Sequence, residues 1–265
     1  PGADYWANPL EDWSIEKGRL VCRGGGNRNV ALLTREIQSD GNLNMSVQID
    51  ADALEADGTI GFRIGIQDEV HDYRAAALRG KGLDLGIDSK ARTLFIGKVT
   101  GAPIAETEFP KSLSLRLAAE PAGNRFSLNL SLIGDGNQEL ASVDTSGPAE
   151  KGTGLVALAI NHGTKNGPGC SFSNWKLSGS AVVSQPDRAW GPILWTMHTV
   201  NKTFTEAGTV LKVTAQLAPD GGEGSQSATL SFVGRDRLYR ANVDRLSCTA
   251  TFRVPNWDST KPSQY

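Results

Sequence analysis

The chain has 265 residues, of which 39% are hydrophobic and 21% charged, so we expect a globular protein with one large β domain or two smaller ones. A formal net charge of −2 and a pI near 6.0 do not suit a nucleic-acid-binding protein, which normally carries a basic stripe. No apolar run approaches the roughly 20 residues that cross a bilayer as a helix, so no membrane span is expected.

Apolar and polar residues alternate with period two through most of the first part of the chain, and this alternation predicts half-buried β-strands. The alternating segments are residues 18–22, 43–49, 59–66, 83–87, 93–97, 113–118, 126–133 and 155–160. Clusters of Gly, Asn and Asp between them predict turns. The one helix candidate, residues 102–108, contains Pro103 and precedes Pro110, so a loop is favoured there. With no strand–helix–strand rhythm, antiparallel sheets are expected.

A change of pattern near residues 180–190 divides the chain into two expected domains, residues 1–183 and 184–265. In the second, strand-like segments recur every eight to twelve residues, at 193–200, 209–217, 227–233, 236–242 and 248–254. This spacing predicts a small immunoglobulin- or fibronectin-III-like β-sandwich. Five strands are fewer than the usual seven, and Tyr265 stands where a further core strand would begin. We therefore expect an incomplete sandwich with an open edge that another segment fills.

Three cysteines, Cys22, Cys170 and Cys248, are widely spaced and form no C-x-x-C motif, which excludes a zinc knuckle or thioredoxin motif. A disulfide between Cys22 and Cys170 and a pair of buried free thiols are both compatible with the sequence. The chain begins at Pro1 rather than Met, as a mature protein does after removal of a signal peptide. A secreted, periplasmic or cell-surface location is expected.

Catalytic and metal-binding motifs are missing from the sequence, so no catalytic residue and no metal ligand is assigned. There is no G-x-S-x-G nucleophile elbow, and His71, His162 and His198 have no partners at metal-ligand spacing. Residues 24–29 are glycine-rich and basic and could present backbone N–H groups to an anion, but they lack the ending of a P-loop. A mobile loop is the favoured interpretation of this segment.

Residues 48–52, Gln-Ile-Asp-Ala-Asp, resemble the Glu-x-Asp-x-Glu strand of laminarinase-type glycosidases. A retaining glycosidase needs a carboxylate nucleophile about 5–5.5 Å from its acid. Here Gln48 stands at the nucleophile position and cannot attack an anomeric carbon, and Asp52 stands at the acid position. The resemblance therefore implies a related fold without the reaction.

The candidate ligand-binding residues are Arg63, His71, Tyr73, Arg79 and Asp84, which together could form a polar, aromatic-edged patch on a concave sheet. Asp84 lies on the strand expected next to that of Arg63, with the same outward parity. A solvated sheet face is the alternative interpretation. Trp175 and Trp195 lie in alternating strands and are expected in the core.

Two further resemblances suggest families. Residues 12–21 and 172–180 resemble the opening and closing strands of concanavalin-like, laminin-G-like jelly rolls, which implies a jelly-roll sandwich over residues 1–183. Residues 191–200, 211–217 and 250–261 resemble the region before the catalytic domain of bacterial alkaline-phosphatase-D-like metallophosphatases. The signature motifs of that catalytic domain, D-x-H, G-D-x-x-[DN], G-N-H-[DE] and G-H-x-H, are absent from this sequence.

The second resemblance implies a non-catalytic accessory region of a secreted metal-dependent phosphatase or phosphodiesterase. Its expected partner is a downstream catalytic domain, or a partner chain that completes the second sandwich, and divalent metals are expected only in that catalytic domain. A glycan is the expected ligand of the jelly roll. The alternatives are a stand-alone carbohydrate-active or carbohydrate-binding jelly roll, and a structural or adhesion protein.

Overall fold

The computed structural model describes residues 2–50, 54, 57–105, 109–110, 112–162, 170–202, 208–218 and 226–265. The chain divides into two compact units, Pro1–Ala189 and Trp190–Tyr265. Both are built from antiparallel sheets, so the expected all-β fold class is confirmed.

The strands of the first unit are short and numerous, as the alternating pattern predicts. They are β1 (Tyr5–Asn8), β2 (Trp13–Glu16), β3 (Arg19–Cys22), β4 (Gly26–Ile37), β5 (Leu43–Asp50), β6 (Gly58–Gln67), β7 (Lys81–Asp88), β8 (Thr93–Ile96), β9 (Val99–Pro103), β10 (Ser112–Ala122), β11 (Arg125–Ile133), β12 (Glu139–Pro148), β13 (Gly154–His162), β14 (Cys170–Ser178) and β15 (Val182–Ser184). Short 3-10 turns lie at Leu10–Asp12, Asp135–Asn137, Ala149–Gly152 and Pro186–Arg188.

Two sheets form this unit. The first has the order β1-β4-β13-β6-β7-β8-β9, with β15 also paired to β4, and the second has the order β12-β11-β10-β5-β14-β3-β2. Because side chains alternate across a strand, each sheet turns one apolar face inward and one polar face outward. The core holds the inward residues of both sheets, among them Phe62 and Phe172, each 1% exposed. This two-sheet sandwich is the architecture of a jelly roll.

Strand β6 shows the alternation most clearly. Ile60, Phe62, Ile64 and Ile66 are all buried, as expected, and Arg63 points to the opposite face and pairs with Asp84. The register with β7 shifts between Ile64 and Gln67, and Gly65, with φ of +62°, lies in this irregular stretch. A side chain at Gly65 would be strained there and would clash with the backbone of Lys151.

One α-helix, α1 (Tyr73–Arg79), was not predicted. It places Tyr73 and Arg79 on a helix, whereas the expected ligand-binding patch had them on a concave sheet. Asp72 caps the helix by accepting a hydrogen bond from the backbone N–H of Arg74. Ala75, Ala76 and Ala77 then supply strong helix formers. The helix has only seven residues, which is too short for a helical hydrophobic period to be recognised.

Cys22 and Cys170 lie directly opposite each other on β3 and β14, and both are buried free thiols. Burial raises the pKa of Cys22 to about 11 and that of Cys170 well above its usual value. Cys248 is a partly exposed free thiol.

In the second unit the described residues form a five-stranded antiparallel sheet of order β16-β17-β20-β19-β18. Its strands are β16 (Ile193–Lys202), β17 (Thr209–Leu217), β18 (Ser227–Phe232), β19 (Arg235–Asp244) and β20 (Thr249–Val254). A small core gathers inward residues of β17, β18 and β20, including Val213, Leu230 and Phe252.

Strand β16 lies outside that core, and all ten of its residues are exposed. Trp195 is 50% exposed, so its expected core position is wrong. The reason is topological: among the described residues β16 pairs only with β17, and it forms an edge of the sheet. An exposed, apolar edge strand is a surface that readily accepts a further strand.

Candidate functional site

The candidate site lies on the outer face of the second sheet, where three adjacent strands β10, β5 and β14 present polar residues. On β10, Ser112, Ser114 and Arg116 alternate with buried leucines. On β5, Ser46 and Gln48 alternate with Met45, Val47 and Ile49, which are buried. The period-two pattern thus forces each set outward while its neighbours fill the core.

The register of the strands aligns these residues in two rows. In one row Arg116 lies opposite Ser46, and Ser46 lies opposite Lys176 of β14. In the next row Ser114 lies opposite Gln48 and Gln48 opposite Ser173. Adjacent strands lie about 4.8 Å apart, so the backbones of Arg116 and Lys176 are about 10 Å apart with a small serine between them.

A β-bulge on β14 shapes one side of this surface. Asn174 and Trp175 together oppose the single residue Val47, and Asn174 has φ of +51°. The bulge lets Asn174 Nδ2 donate to Gln48 Oε1 at 2.5 Å, while Ser173 Oγ donates to the same oxygen at 3.3 Å. Gln48 is therefore held by two donors, and its amide nitrogen is left for a ligand.

The turn between β11 and β12 forms the opposite side. Gly136 and Asn137 both have φ of +66°, and this tight turn brings the Asn137 amide toward the sheet. Asn137 Oδ1 accepts a hydrogen bond of 2.7 Å from the Arg116 guanidinium. That bond fixes the direction of Arg116 along the groove wall.

Together these residues line a groove of about 470 Å³, which falls within the usual size range of small-molecule sites. Nine of its thirteen lining residues have hydroxyl, amide or charged side chains: Ser46, Gln48, Ser112, Ser114, Arg116, Asp135, Asn137, Asn174 and Lys176. The groove therefore suits a ligand with many hydrogen-bonding groups and does not suit an apolar one.

The laminarinase-like segment forms part of this face. Gln48 lies in the groove, as its outward parity requires. Asp50 forms an ion pair with Arg19 and accepts a hydrogen bond from Ser171, so its carboxylate is already engaged. Asp52 lies outside the described residues. No nucleophile and acid pair of a retaining glycosidase is present among the described residues of this groove.

The five residues expected to bind ligand lie elsewhere in the unit, in two groups. Arg63 of β6 and Asp84 of β7 are directly opposite and form a bidentate ion pair, with Arg63 Nε 2.5 Å from Asp84 Oδ1. His71 and Tyr73 line a separate cavity of about 250 Å³ beside α1. Arg79 pairs with Asp68, which lines the same cavity.

Tyr73 is already engaged by two cations. The guanidinium carbons of Arg188 and Arg74 lie 5.0 and 5.6 Å from the centroid of its ring. A sugar ring that stacked on Tyr73 would come close to these two cations. Arg74 also donates to Asp72, and this bond, with the backbone N–H of Arg74, holds the pKa of the Asp72 carboxyl well below its usual range.

A third cavity, of about 320 Å³, opens between the sheets and has a mixed polar and apolar lining. Its lining includes Leu20, Val30, Leu158 and Phe172, together with Trp175, whose indole N–H has no hydrogen-bond partner among the described residues. Trp175 packs on Tyr5 at 6.0 Å between ring centroids. This cavity has fewer charged and hydrogen-bonding side chains than the polar groove.

The polar groove was missed by sequence reasoning, although its outward residues could be listed from the alternation of β5 and β10. What the pattern does not carry is the order β10-β5-β14, which joins strands distant in the sequence. The bulge at Asn174 was a second obstacle, because it interrupts the alternation of β14.

Among the described residues, no group of three or more His, Cys, Asp or Glu side chains is placed to hold a metal ion. Nor do those residues include a helix long and apolar enough to cross a membrane.

No protein-family model and no curated protein matches this sequence. Solved structures with a similar fold include lectin I-B4 of Griffonia simplicifolia in its metal-free form, at 9% identity and a TM-score of 0.46, over 67% of this chain and 93% of that one. The legume lectin-like domain of Entamoeba histolytica has 10% sequence identity and a TM-score of 0.43, and the match covers 66% of this chain and 89% of that one. The lumenal domain of VIP36 with bound Ca²⁺ and mannose has 12% sequence identity and a TM-score of 0.44, and the match covers 66% of this chain and 82% of that one. Likenesses this distant transfer no ligand and no residue role.

Proposed function

We propose that the first unit is a carbohydrate-binding β-sandwich that acts without turnover, outside the cytoplasm. The observation that carries the proposal is the groove on the outer face of the second sheet. Hydroxyl, amide and charged groups converge there from β10, β5, β14 and one turn. A saccharide offers the matching density of donors and acceptors.

The expected affinity is low, with a Kd of about 10 µM to 1 mM. The groove is open, and exposed hydrogen bonds leave a small net gain after the ordering of side chains and ligand. The described lining of the groove has no aromatic side chain, so affinity is expected to depend on hydrogen bonds and charges rather than on ring stacking.

A groove-filling substitution tests this proposal. Ser46→Trp places a large side chain in the centre of the groove from an outward position, so it leaves the core intact. We expect wild-type protein to give signals on a glycan microarray and Ser46→Trp to lose them. Ser127→Trp is the matched control, since Ser127 is an exposed residue of β11 on the same sheet and outside the groove lining. No wild-type signal, or equal binding by both variants, would contradict the proposal.

The patch predicted from sequence, Arg63, His71, Tyr73, Arg79 and Asp84, stays a second possible ligand surface. Tyr73→Ala tests it with the same array. A loss of binding in this variant but not in Ser46→Trp would assign the glycan to the cavity beside α1.

For the second unit we propose an accessory role beside a metal-dependent phosphoester hydrolase. The support is the resemblance of residues 190–261 and the exposed edge strand β16, which could pair with a downstream segment or a partner chain. The chain alone is then expected to release no product from a chromogenic phosphoester. Turnover that a chelator abolishes and a divalent cation restores would refute the proposal.

A further inference from the structure

We infer that the groove selects an anionic saccharide, and that Arg116 and Lys176 hold its carboxylate or sulfate group above Ser46. The inference rests on the proposed function and names the class of glycan. Carboxylate and sulfate share the chemistry that matters here, a compact anion with several acceptor oxygens.

The two cations have unused binding capacity. Among the described residues, Lys176 makes no ion pair or hydrogen bond through its ammonium, and Arg116 makes only the bond to the neutral amide of Asn137. A guanidinium has five N–H donors, so four of those of Arg116 are available to a ligand. Within the part of the chain that the structure describes, no carboxylate forms an ion pair with either cation.

The charge balance of the groove favours an anion. Its described lining has two cations and one carboxylate, Asp135, which gives a net charge of +1. The nearby Asp50 adds no free charge, because Arg19 is its ion-pair partner. The whole chain has two more acidic than basic residues. The groove thus has the opposite sign from the whole protein.

The geometry matches one sugar unit that carries one anion. Arg116 and Lys176 stand on either side of Ser46, two strand spacings or about 10 Å apart. Serine is small, so the centre of the row is left open. An anion there can meet the Lys176 ammonium from one side and, from the other, the guanidinium donors of Arg116 that do not bind Asn137. Gln48 and Asn174 lie beside this position and can bind the hydroxyl groups of the same ring.

The test is a set of ligands matched in all but charge: a uronate tetrasaccharide, its methyl ester, and a sulfated oligosaccharide of the same length. Binding by the whole chain is measured by calorimetry. We expect the uronate to bind at least about tenfold more tightly than its ester, because charge-assisted hydrogen bonds are about twice as strong as neutral ones. The sulfated ligand shows whether the site accepts both anions or carboxylate alone.

Arg116→Gln and Lys176→Gln should each weaken uronate binding about tenfold or more and change ester binding less than about threefold. The controls are Arg125→Gln, an exposed arginine on the same sheet outside the groove, and Lys212→Gln on β17. Equal affinity for uronate and ester, with both lost in Ser46→Trp, would overturn this inference and leave the proposed function standing. If neither ligand binds and the array is also silent, both fail.

Discussion

The substitution Gln48→Glu tests the account of the groove most sharply, because it adds one negative charge beside the anion site with little change of side-chain shape. It also removes the amide N–H donors that Gln48 offers to the sugar, and this second effect is the same for charged and neutral ligands. Gln48 Oε1 accepts from Asn174 and Ser173, and a glutamate oxygen can accept the same two hydrogen bonds. The side chains have nearly the same shape, and the position is on the outer face of β5, so the fold should not change.

The expected loss of affinity follows from the strand geometry. Gln48 is two residues from Ser46 on the same strand, so the backbones of the two residues are about 6.8 Å apart. Ser46 is the residue above which the ligand anion is expected to lie. Two like charges at this distance repel by about 0.6 kcal/mol at an effective dielectric constant of about 80, and by about 2.4 kcal/mol at about 20. Uronate binding should therefore weaken by about 3-fold to about 60-fold at low ionic strength.

Calorimetry at about 0.01 M and about 1 M salt separates charge from contact, since screening shortens the Debye length from about 30 Å to about 3 Å. The part of the loss that comes from charge should shrink at high salt. The methyl ester should lose less affinity than the uronate, because it loses only the amide donor. Gln38→Glu, which adds the same charge at an exposed position outside the groove, is the control. Unchanged uronate affinity, or the same loss for uronate and ester, would refute the reasoning.

Three further outcomes are expected. Phe172→Ala should reduce the free energy of unfolding by about 3–5 kcal/mol, because Phe172 is 1% exposed and stacks on Trp13. Denaturant titration measures this reduction, and Phe172→Leu should reduce the free energy of unfolding by less. His162 is buried, and burial lowers its pKa from the usual 6.5. As the pH falls, His162 is therefore protonated in the unfolded chain before it is protonated in the folded chain. The free energy of unfolding should decrease as the pH drops below about 6.5. Replacing His162 with Gln should make the free energy of unfolding less dependent on pH. An unchanged pH profile in this variant would count against the role of His162. The exposed edge strand β16 should cause self-association that increases with protein concentration. Sedimentation should show less self-association in Trp195→Lys and in Met197→Lys, which place a charge on exposed apolar positions of this strand. A wild-type chain that stays monomeric at high concentration would argue against an open edge.

The sequence predicted the sandwich well where burial alone decides. In β6 the alternation places Ile60, Phe62 and Ile64 inside and Arg63 outside, and the pairing of Arg63 with Asp84 follows from the parity of neighbouring strands. These features are local or involve strands close together in the chain.

Features that depend on distant strands or on breaks in the period were not predicted. The helix at Tyr73–Arg79 is stabilised by an N-cap and an alanine run rather than by an apolar stripe. The bulge at Asn174 changes which residues of β14 face outward. Trp195 has the pattern of a core residue, but its strand lies at an edge where nothing described covers it.

The central claim is that the outer face of the second sheet binds saccharide, and amide chemical-shift mapping tests it most directly. A uronate tetrasaccharide is titrated into the isotope-labelled chain of 28.2 kDa. The account predicts shifts at Ser46, Gln48, Ser114 and Asn174 that saturate together, with no change along α1. Shifts confined to Tyr73–Arg79, or no saturable shift anywhere in the first unit, would contradict it.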